Sequence, residues 1–344
     1  MLSPRKPSLL AYVNVSLERP QYLGDGPEYC TKGQNRLRTG YNVRKTAVYA
    51  LGGNALQSPG GGSQDAAEVL ARVMSDVIDL LEKDWSVVLT HGNGPQVGHL
   101  LAMDQEQSYS LDAWVAATQG MIGHDLSMHL QAILERRRRP ERTAVVLTRV
   151  EVDSEDEGFH WPTKPIGPVL SSETVMTADW DIAQTVHGPR RVVASPKPVS
   201  IMDLDVIKRL VELNAVVICG GGGGVPTARL NQHLTGMPAV VDKDLFSSLL
   251  AKDLGAHALI ISTESGAIYR GFGTDAEEAL KTLTVAEARS MDEAGEFPPG
   301  SMAPKVNALC EFLQQSGEGM ALLCAPGEVL HALRGECGTT ITAS

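Results

Sequence analysis

The chain has 344 residues, 43% of them hydrophobic, enough for one large α/β domain or two smaller ones. A formal charge of −11 argues against non-specific binding to nucleic acid or to anionic membrane, and no apolar run approaches the roughly 18 residues of a membrane span. Five cysteines (Cys30, Cys219, Cys310, Cys324, Cys337) without a CxxC spacing read as reduced thiols of a cytoplasmic protein.

Residues 1–46 stand apart. They contain Pro4, Pro7, Pro20 and Pro27, eight basic against three acidic side chains, and no sustained periodicity. We expect a poorly ordered basic extension there, followed by one domain over 47–344. A secretory signal is disfavoured, because no apolar core precedes a small-residue cleavage site. From Thr46 the pattern alternates. "TAVYALGG" predicts a buried strand, 66–83 an amphipathic helix, and "WSVVLTHGNG" a second strand entering a glycine-rich loop. Residues 111–139 predict a helix whose "RRRRP" end is a basic last turn stopped by Pro140. The helix dipole and solvent account for those arginines without a nucleic-acid partner. "TAVVLTRVEV" predicts a third strand, and 154–190 break the rhythm as an inserted lobe. The alternation resumes with "RRVVAS", a helix over 203–213, "AVVICGGGGG", a helix from Asp244, "HALIIST", a helix from Pro304, and "GMALLC". Strands separated by helices imply a largely parallel sheet covered on both faces.

In such sheets ligands bind outside the carboxyl ends of the strands. Three loops there share a chemistry: "LGGNAL" (51–56), "THGNGPQVG" (90–98) and "GGGGGVP" (220–226). Glycine permits close backbone approach, and Asn54 and Asn93 can donate amide hydrogen bonds without adding charge. A run of five glycines is either a flexible turn or an anion cradle; three such loops at equivalent strand ends favour a convergent anion site. None matches the GxxxxGK[ST] loop or a dinucleotide GxGxxG in context.

Transfer of a phosphoryl group also needs positive charge. Lys164 in "PTKPIGP" and Lys197 in "SPKP" sit between prolines that fix the backbone; Lys243 lies between Asp242 and Asp244 at a helix start, and Lys305 in the first turn after "PPGSMAP". A lone lysine is ordinarily a solvated surface charge. Asp244 reads equally as a helix N-cap or as a site carboxylate. His91 and His124, near the site in sequence, read as structural.

The ordered series "ALGGNAL", "VLTHGNGPQVGHLL", "TQGMIGHDL", "PTKPIGP", "RRVVASPKP", "GGGGGVP", "AVVDKDL" and "FPPGSMAPKV" resembles the carbamate kinases of the amino acid kinase superfamily, from Ala47 to Ile341. The resemblance implies an α/β fold, a three-layer αβα sandwich around a mostly parallel sheet, with a small protruding subdomain at about 154–190, and a homodimer. It implies magnesium-dependent, reversible phosphoryl transfer between ATP and carbamate, giving ADP and carbamoyl phosphate. On matching positions, Lys164 would reach the transferred group from the subdomain. Lys243 and Lys305 would neutralise phosphates, and Asp244 would orient the lysines or act through the metal. Gly52, Gly53, Asn54, Gly92, Asn93 and Gly94 would line the acceptor pocket, and Gly220, Gly221, Gly222 and Gly223, with Gly224, would let the nucleotide approach bare backbone. Magnesium would be held by nucleotide phosphates, not directly by a side chain.

The chain departs from the family pattern in the basic extension, in a differently composed 167–190, in Trp114 beside the acceptor region, and in "ISTESGAIYRGF". These departures keep open a related kinase with another carbamate- or carboxylate-like acceptor, and a nucleotide-binding regulator without turnover.

Overall fold

In the computed structural model the described residues are 44–52, 64–104, 106, 108–185, 188–298, 300–317 and 319–344. The expected extension therefore lies almost wholly outside them. In chain order the elements are β1 (Lys45–Leu51), α1 (Gln64–Glu82), β2 (Trp85–His91), α2 (Gly94–Met103), α3 (Leu111–Arg136), β3 (Arg142–Val146) and β4 (Arg149–Val152). There follow β5 (Lys164–Ile166), α4 (Ser172–Thr177), β6 (Ile182–Thr185), β7 (Gly188–Val193), β8 (Pro198–Ile201), α5 (Leu204–Glu212), β9 (Ala215–Cys219), β10 (Val225–Leu230) and β11 (His233–Gly236). The chain closes with α6 (Lys243–Leu254), β12 (Ala258–Ser262), β13 (Ile268–Arg270), β14 (Glu278–Leu280), β15 (Thr282–Thr284), α7 (Val285–Glu293), α8 (Met302–Ser316), β16 (Met320–Cys324), α9 (Val329–Leu333) and β17 (Thr339–Thr342).

The main sheet has eight strands in the order β15-β17-β16-β12-β1-β2-β9-β3. It is parallel from β16 to β3, and β17 turns antiparallel to β16. Period-two alternation explains why its central strands read as continuous apolar runs. On β1, Ala47, Tyr49 and Leu51 face one layer, which holds Val73, Val77 and Leu80 of α1 and Leu126 and Leu130 of α3. Val48 and Ala50 face the other, with Phe246 and Leu250 of α6 and Val306 and Leu309 of α8. Each of the larger side chains among them (Val, Leu, Phe), fully withdrawn from water, contributes roughly 1.5–3 kcal/mol before chain entropy is subtracted. The result is the αβα sandwich expected.

Two strands depart from expectation. "TAVVLTRVEV" is not one strand: β3 belongs to the main sheet, whereas β4 joins a second sheet, β11-β10-β4-β8. Gln119 of α3 makes the break. Its side-chain amide donates to Thr148 O at 3.0 Å and its carbonyl accepts from Thr148 N at 2.8 Å, while Thr148 O also accepts from Val225 N of β10 at 2.8 Å. "RRVVAS" likewise does not rejoin the main sheet. It forms β7, the centre of a small three-stranded sheet, β5-β7-β6, within which 157–193 fold largely on themselves.

Candidate functional site

Three helices begin at the same pocket. α2 starts at Gly94, α6 at Lys243 and α8 at Met302, and residues from each start line a cavity of about 190 Å³ beyond the carboxyl ends of the main-sheet strands. The unpaired N–H groups and dipoles of helix N-termini attract anions. The fourth wall comes from the small sheet, through Lys164, Pro165 and Arg190.

The start of α6 fixes the charges. Asp242 is its N-cap: Oδ1 accepts from Asp244 N at 2.8 Å and from Leu245 N at 3.3 Å. The cap is thus Asp242, and Asp244 in the first turn is free to turn inward. Both its oxygens are engaged, Oδ1 by Lys243 Nζ and Oδ2 by Lys305 Nζ at 3.0 Å. Gly255, at φ 64°, closes α6 in the left-handed conformation that suits glycine. The other oxygen of Asp242 accepts from Lys164 Nζ at 2.5 Å.

Burial alone would raise both carboxyls. For Asp242 the Lys164 ammonium outweighs it, against repulsion from Asp244, and holds the carboxyl below the usual carboxylate range. For Asp244 the pair Lys243 and Lys305 does the same more strongly. Burial, with the neighbouring Lys305 ammonium, pulls Lys243 below the usual lysine value despite Asp244. Burial also works against Lys305, but Asp244 overcomes it and raises that lysine. Three lysines therefore share two carboxylates, and positive charge is left over for an anion.

Lys164 is carried to this point by a tight backbone contact. Gly167 N donates to Gly94 O at 3.0 Å, and a Cβ at Gly98 would lie 2.0 Å from Gly167 N. Gly98 therefore lets α2 touch the turn that follows β5. Arg190 closes the same turn, donating from Nε at 3.0 Å and Nη2 at 2.7 Å to Gly167 O.

The sequence-derived residues are placed as follows. Lys164, Lys243, Asp244 and Lys305 converge on the pocket, with Gly92, Asn93 and Gly94. Asn93 is buried and donates from Nδ2 to Thr118 Oγ1 at 2.9 Å. Gly52 follows β1 and donates to Ser262 O at 3.2 Å, outside the pocket lining, while Gly53 and Asn54 lie outside the described residues. Lys197 is exposed and lies away from the pocket.

The glycine run also meets a packing requirement of the protein itself. A Cβ at Gly220 would meet the Phe246 ring at 1.9 Å, one at Gly221 the His91 ring at 2.4 Å, and one at Gly223 Val241 O at 2.3 Å. Gly224 faces Val150, and Gly222 lies against Asn93 and is the member of the run that lines the pocket. A side chain at these positions would collide with the protein's own atoms. Positive φ at Gly220, Gly222, Gly223 and Gly224 adds a second requirement.

Two charged lining residues escaped the sequence reading, Asp242 and Arg190. Both lie within quoted motifs, and their roles depend on contacts 78 and 23 residues away. Trp114 does not reach the pocket. It packs against the apolar cluster that includes Val97 and Ile166, donates to Asp104 Oδ2 at 3.1 Å and meets the Tyr109 ring edge-on. His91 is buried behind the site, where desolvation pushes its imidazole down to about 4; it is neutral at pH 7 and donates from Nδ1 to Gly92 O. His124 is exposed on α3.

The sequence pattern of the amino acid kinase family matches residues 45–323. A carbamate kinase of Halobacterium salinarum is 42% identical over 304 residues, 86% of this chain and 97% of that protein. The carbamate kinase-like protein YqeA of Escherichia coli is 37% identical over 311 residues, 87% of this chain and 99% of that one. Among solved structures, carbamate kinase from Giardia lamblia bound to AMP-PNP superposes with a TM-score of 0.76 at 34% identity, covering 87% of this chain and 98% of that one.

Proposed function

Because the chain belongs to the amino acid kinase family, among its carbamate kinases, we propose that the lysine-rich pocket is where a phosphoryl group passes between ATP and carbamate. One observation carries the assignment: a buried carboxylate, Asp244, is held between Lys243 and Lys305 while Lys164 faces the same pocket from a separate sheet.

Carbamate oxygen attacks the terminal phosphorus of ATP as the bond from that phosphorus to the ADP oxygen breaks; carbamoyl phosphate and ADP leave, and the reverse direction uses the same contacts. The nucleophile is already an anion, so no side chain has to remove a proton. The protein's work is positioning and charge neutralisation. Asp244 fixes the spacing of Lys243 and Lys305, which take phosphate oxygens. Lys164 exchanges Asp242 for an oxygen of the moving group. The N-termini of α2, α6 and α8 add oriented N–H dipoles that need no reorganisation. The AMP-PNP complex of the Giardia lamblia relative supports a nucleotide at this fold.

The donor set suits magnesium brought in on the nucleotide phosphates, since Asp242 and Asp244 are both engaged by lysines. When bound, the ion supplies further neutralisation of the phosphate oxygens.

A homodimer is supported by an apolar surface where α3 lies beside the edge strand β3: Met121, Met128, Val145 and Leu147 are exposed there. Sedimentation of the purified chain tests it, a monomer at micromolar concentration refuting it. No described helix is long and apolar enough to cross a membrane, and Cys219, Cys310, Cys324 and Cys337 are free thiols that suit the reducing cytoplasm.

The deciding assay is ATP formation from carbamoyl phosphate and MgADP by the full chain, with Lys164→Ala as control. We expect turnover in the wild type and a loss of at least about tenfold in the variant, the scale of one charged contact to a transition state. Turnover unchanged in the variant removes Lys164 from the mechanism. No turnover by the wild type, with ADP still bound, sinks carbamate as the acceptor.

A further inference from the structure

Arg190 and Arg191 are neighbours on β7 and point opposite ways, as strand residues must. Arg191 turns into the small sheet's own surroundings, its guanidinium 4.9 Å from the centre of the Trp180 ring. Arg190 turns to the catalytic pocket and lines it. Its two recorded hydrogen bonds, from Nε and Nη2, both go to the single carbonyl of Gly167. That grip aims the guanidinium plane and leaves Nη1 uncommitted. No carboxylate lies within ion-pair distance of Arg190 among the described residues, although the side chain is half-buried. A half-buried guanidinium held in place by a carbonyl and given no counter-ion is what a site for an anion requires.

The charge tally of the pocket points the same way. Lys164, Lys243, Lys305 and Arg190 line it against two carboxylates, in a chain whose formal charge is −11. Each lysine already touches an aspartate, and Arg190 alone of these four cations does not. Its position also selects which anion it serves. Gly167, which it grips, donates to Gly94 at the start of α2, so Arg190 is tied to the Gly92–Gly94 loop that the family resemblance assigns to the acceptor.

We propose that Arg190 is a substrate-binding residue, contacting through its free Nη1 the phosphate of carbamoyl phosphate, a small acyl phosphate dianion. In the direction of carbamoyl phosphate synthesis, the same contact receives the phosphoryl group as it forms. This inference rests on the carbamate kinase reading of the pocket and adds to it the residue that discriminates the acyl phosphate from the nucleotide.

The test compares Arg190→Gln, Arg190→Lys and, as a control on the same strand, Arg191→Gln in the full chain. Glutamine can still donate to Gly167 O but carries no charge. Lysine keeps the charge and loses the planar fork, so it guards against a glutamine variant that fails to fold. We expect Arg190→Gln to raise KM for carbamoyl phosphate about 10- to 100-fold, the range of a charge-assisted hydrogen bond, with KM for MgADP within about twofold of wild type. Inorganic phosphate, as a competitor of carbamoyl phosphate, should weaken in the same proportion. Arg190→Lys should lie between, and Arg191→Gln should leave KM for carbamoyl phosphate unchanged. A fall in kcat with both KM values and the phosphate inhibition constant unchanged overturns the proposal and makes Arg190 a clamp for the Gly167 turn. If the wild type shows no turnover, the carbamate kinase reading fails separately. Thermal protection by inorganic phosphate then still decides on Arg190: protection lost in Arg190→Gln supports the contact, and protection retained refutes it.

Discussion

Replacing Asp242 by Asn and by Ala separates two interactions that one carboxylate makes. Oδ1 caps α6, and Oδ2 holds Lys164 at 2.5 Å. Asparagine is as good an N-cap as aspartate, so Asp242→Asn should remove only the ion pair. Lys164 is a quarter exposed and can swing toward water, which keeps the loss well below the several kcal/mol of a fully buried broken pair; relief of the repulsion with Asp244 lowers it further. We expect about 1 kcal/mol for Asp242→Asn. Asp242→Ala also loses the cap, another ~1 kcal/mol, so its total should be about 2 kcal/mol. In a domain of this size those losses correspond to Tm decreases of roughly 1.5 and 3 °C, readable by scanning calorimetry. A double-mutant cycle with Lys164→Ala should return a coupling of about 1 kcal/mol. Equal losses for the Asn and Ala variants, or a coupling near zero, would refute the division of labour between the two oxygens.

The glycine run gives a sharper stability test. Gly220→Ala places a Cβ 1.9 Å from the Phe246 ring at φ 60° and should cost about 2–4 kcal/mol in denaturant unfolding, whereas Gly255→Ala, at φ 64° with nothing near, should cost only ~1–2 kcal/mol; equal costs would show that the packing contact does not matter. His91 predicts acid sensitivity above the carboxylate range. Its folded value near 4 lies below the unfolded 6.5, so the unfolded chain takes the proton first, and about 3 kcal/mol should be lost as pH falls from 6.5 to 4. His91→Gln should flatten that part of the stability curve, and an unchanged slope would contradict it. Asp242 and Asp244 act in the same direction at lower pH: their stabilisation is present above the unfolded carboxylate value near 4 and is lost as pH falls through their depressed folded values.

The sandwich was legible because its central strands are buried on both faces and helices such as α1 and α5 are strongly amphipathic, so period and length identify them. What was not legible lies where a side chain distant in sequence decides the local structure. Thr143–Val152 reads as one strand until Gln119 of α3 is placed against Thr148. Gly220–Gly224 reads as a ligand cradle, and the packing demand that Phe246, His91 and Val241 place on the same backbone is not visible in the sequence. At the site, lysines in fixed loops were legible as a type of chemistry. The choice of Asp242 over Asp244 as the cap was not, because either carboxylate satisfies the local pattern and only the tertiary positions of Lys164 and Lys305 separate their roles.

That choice has a chemical consequence. Were Asp244 the cap, its carboxylate would be turned toward backbone N–H groups, and Lys243 and Lys305 would face each other in a buried site without an anion between them. Like charges at that separation would drive one ammonium to deprotonate. With Asp242 as the cap, one carboxylate sits between two ammonium groups, so both remain ordered before substrate arrives and together carry one positive charge beyond neutrality. A second full carboxylate there would neutralise the pair and leave phosphate no net attraction. The arrangement of one cap, one bridging carboxylate and a third lysine held by the cap's free oxygen thus satisfies two opposed demands: a pocket stable when empty, and a pocket still positive enough to draw phosphate into a protein of formal charge −11.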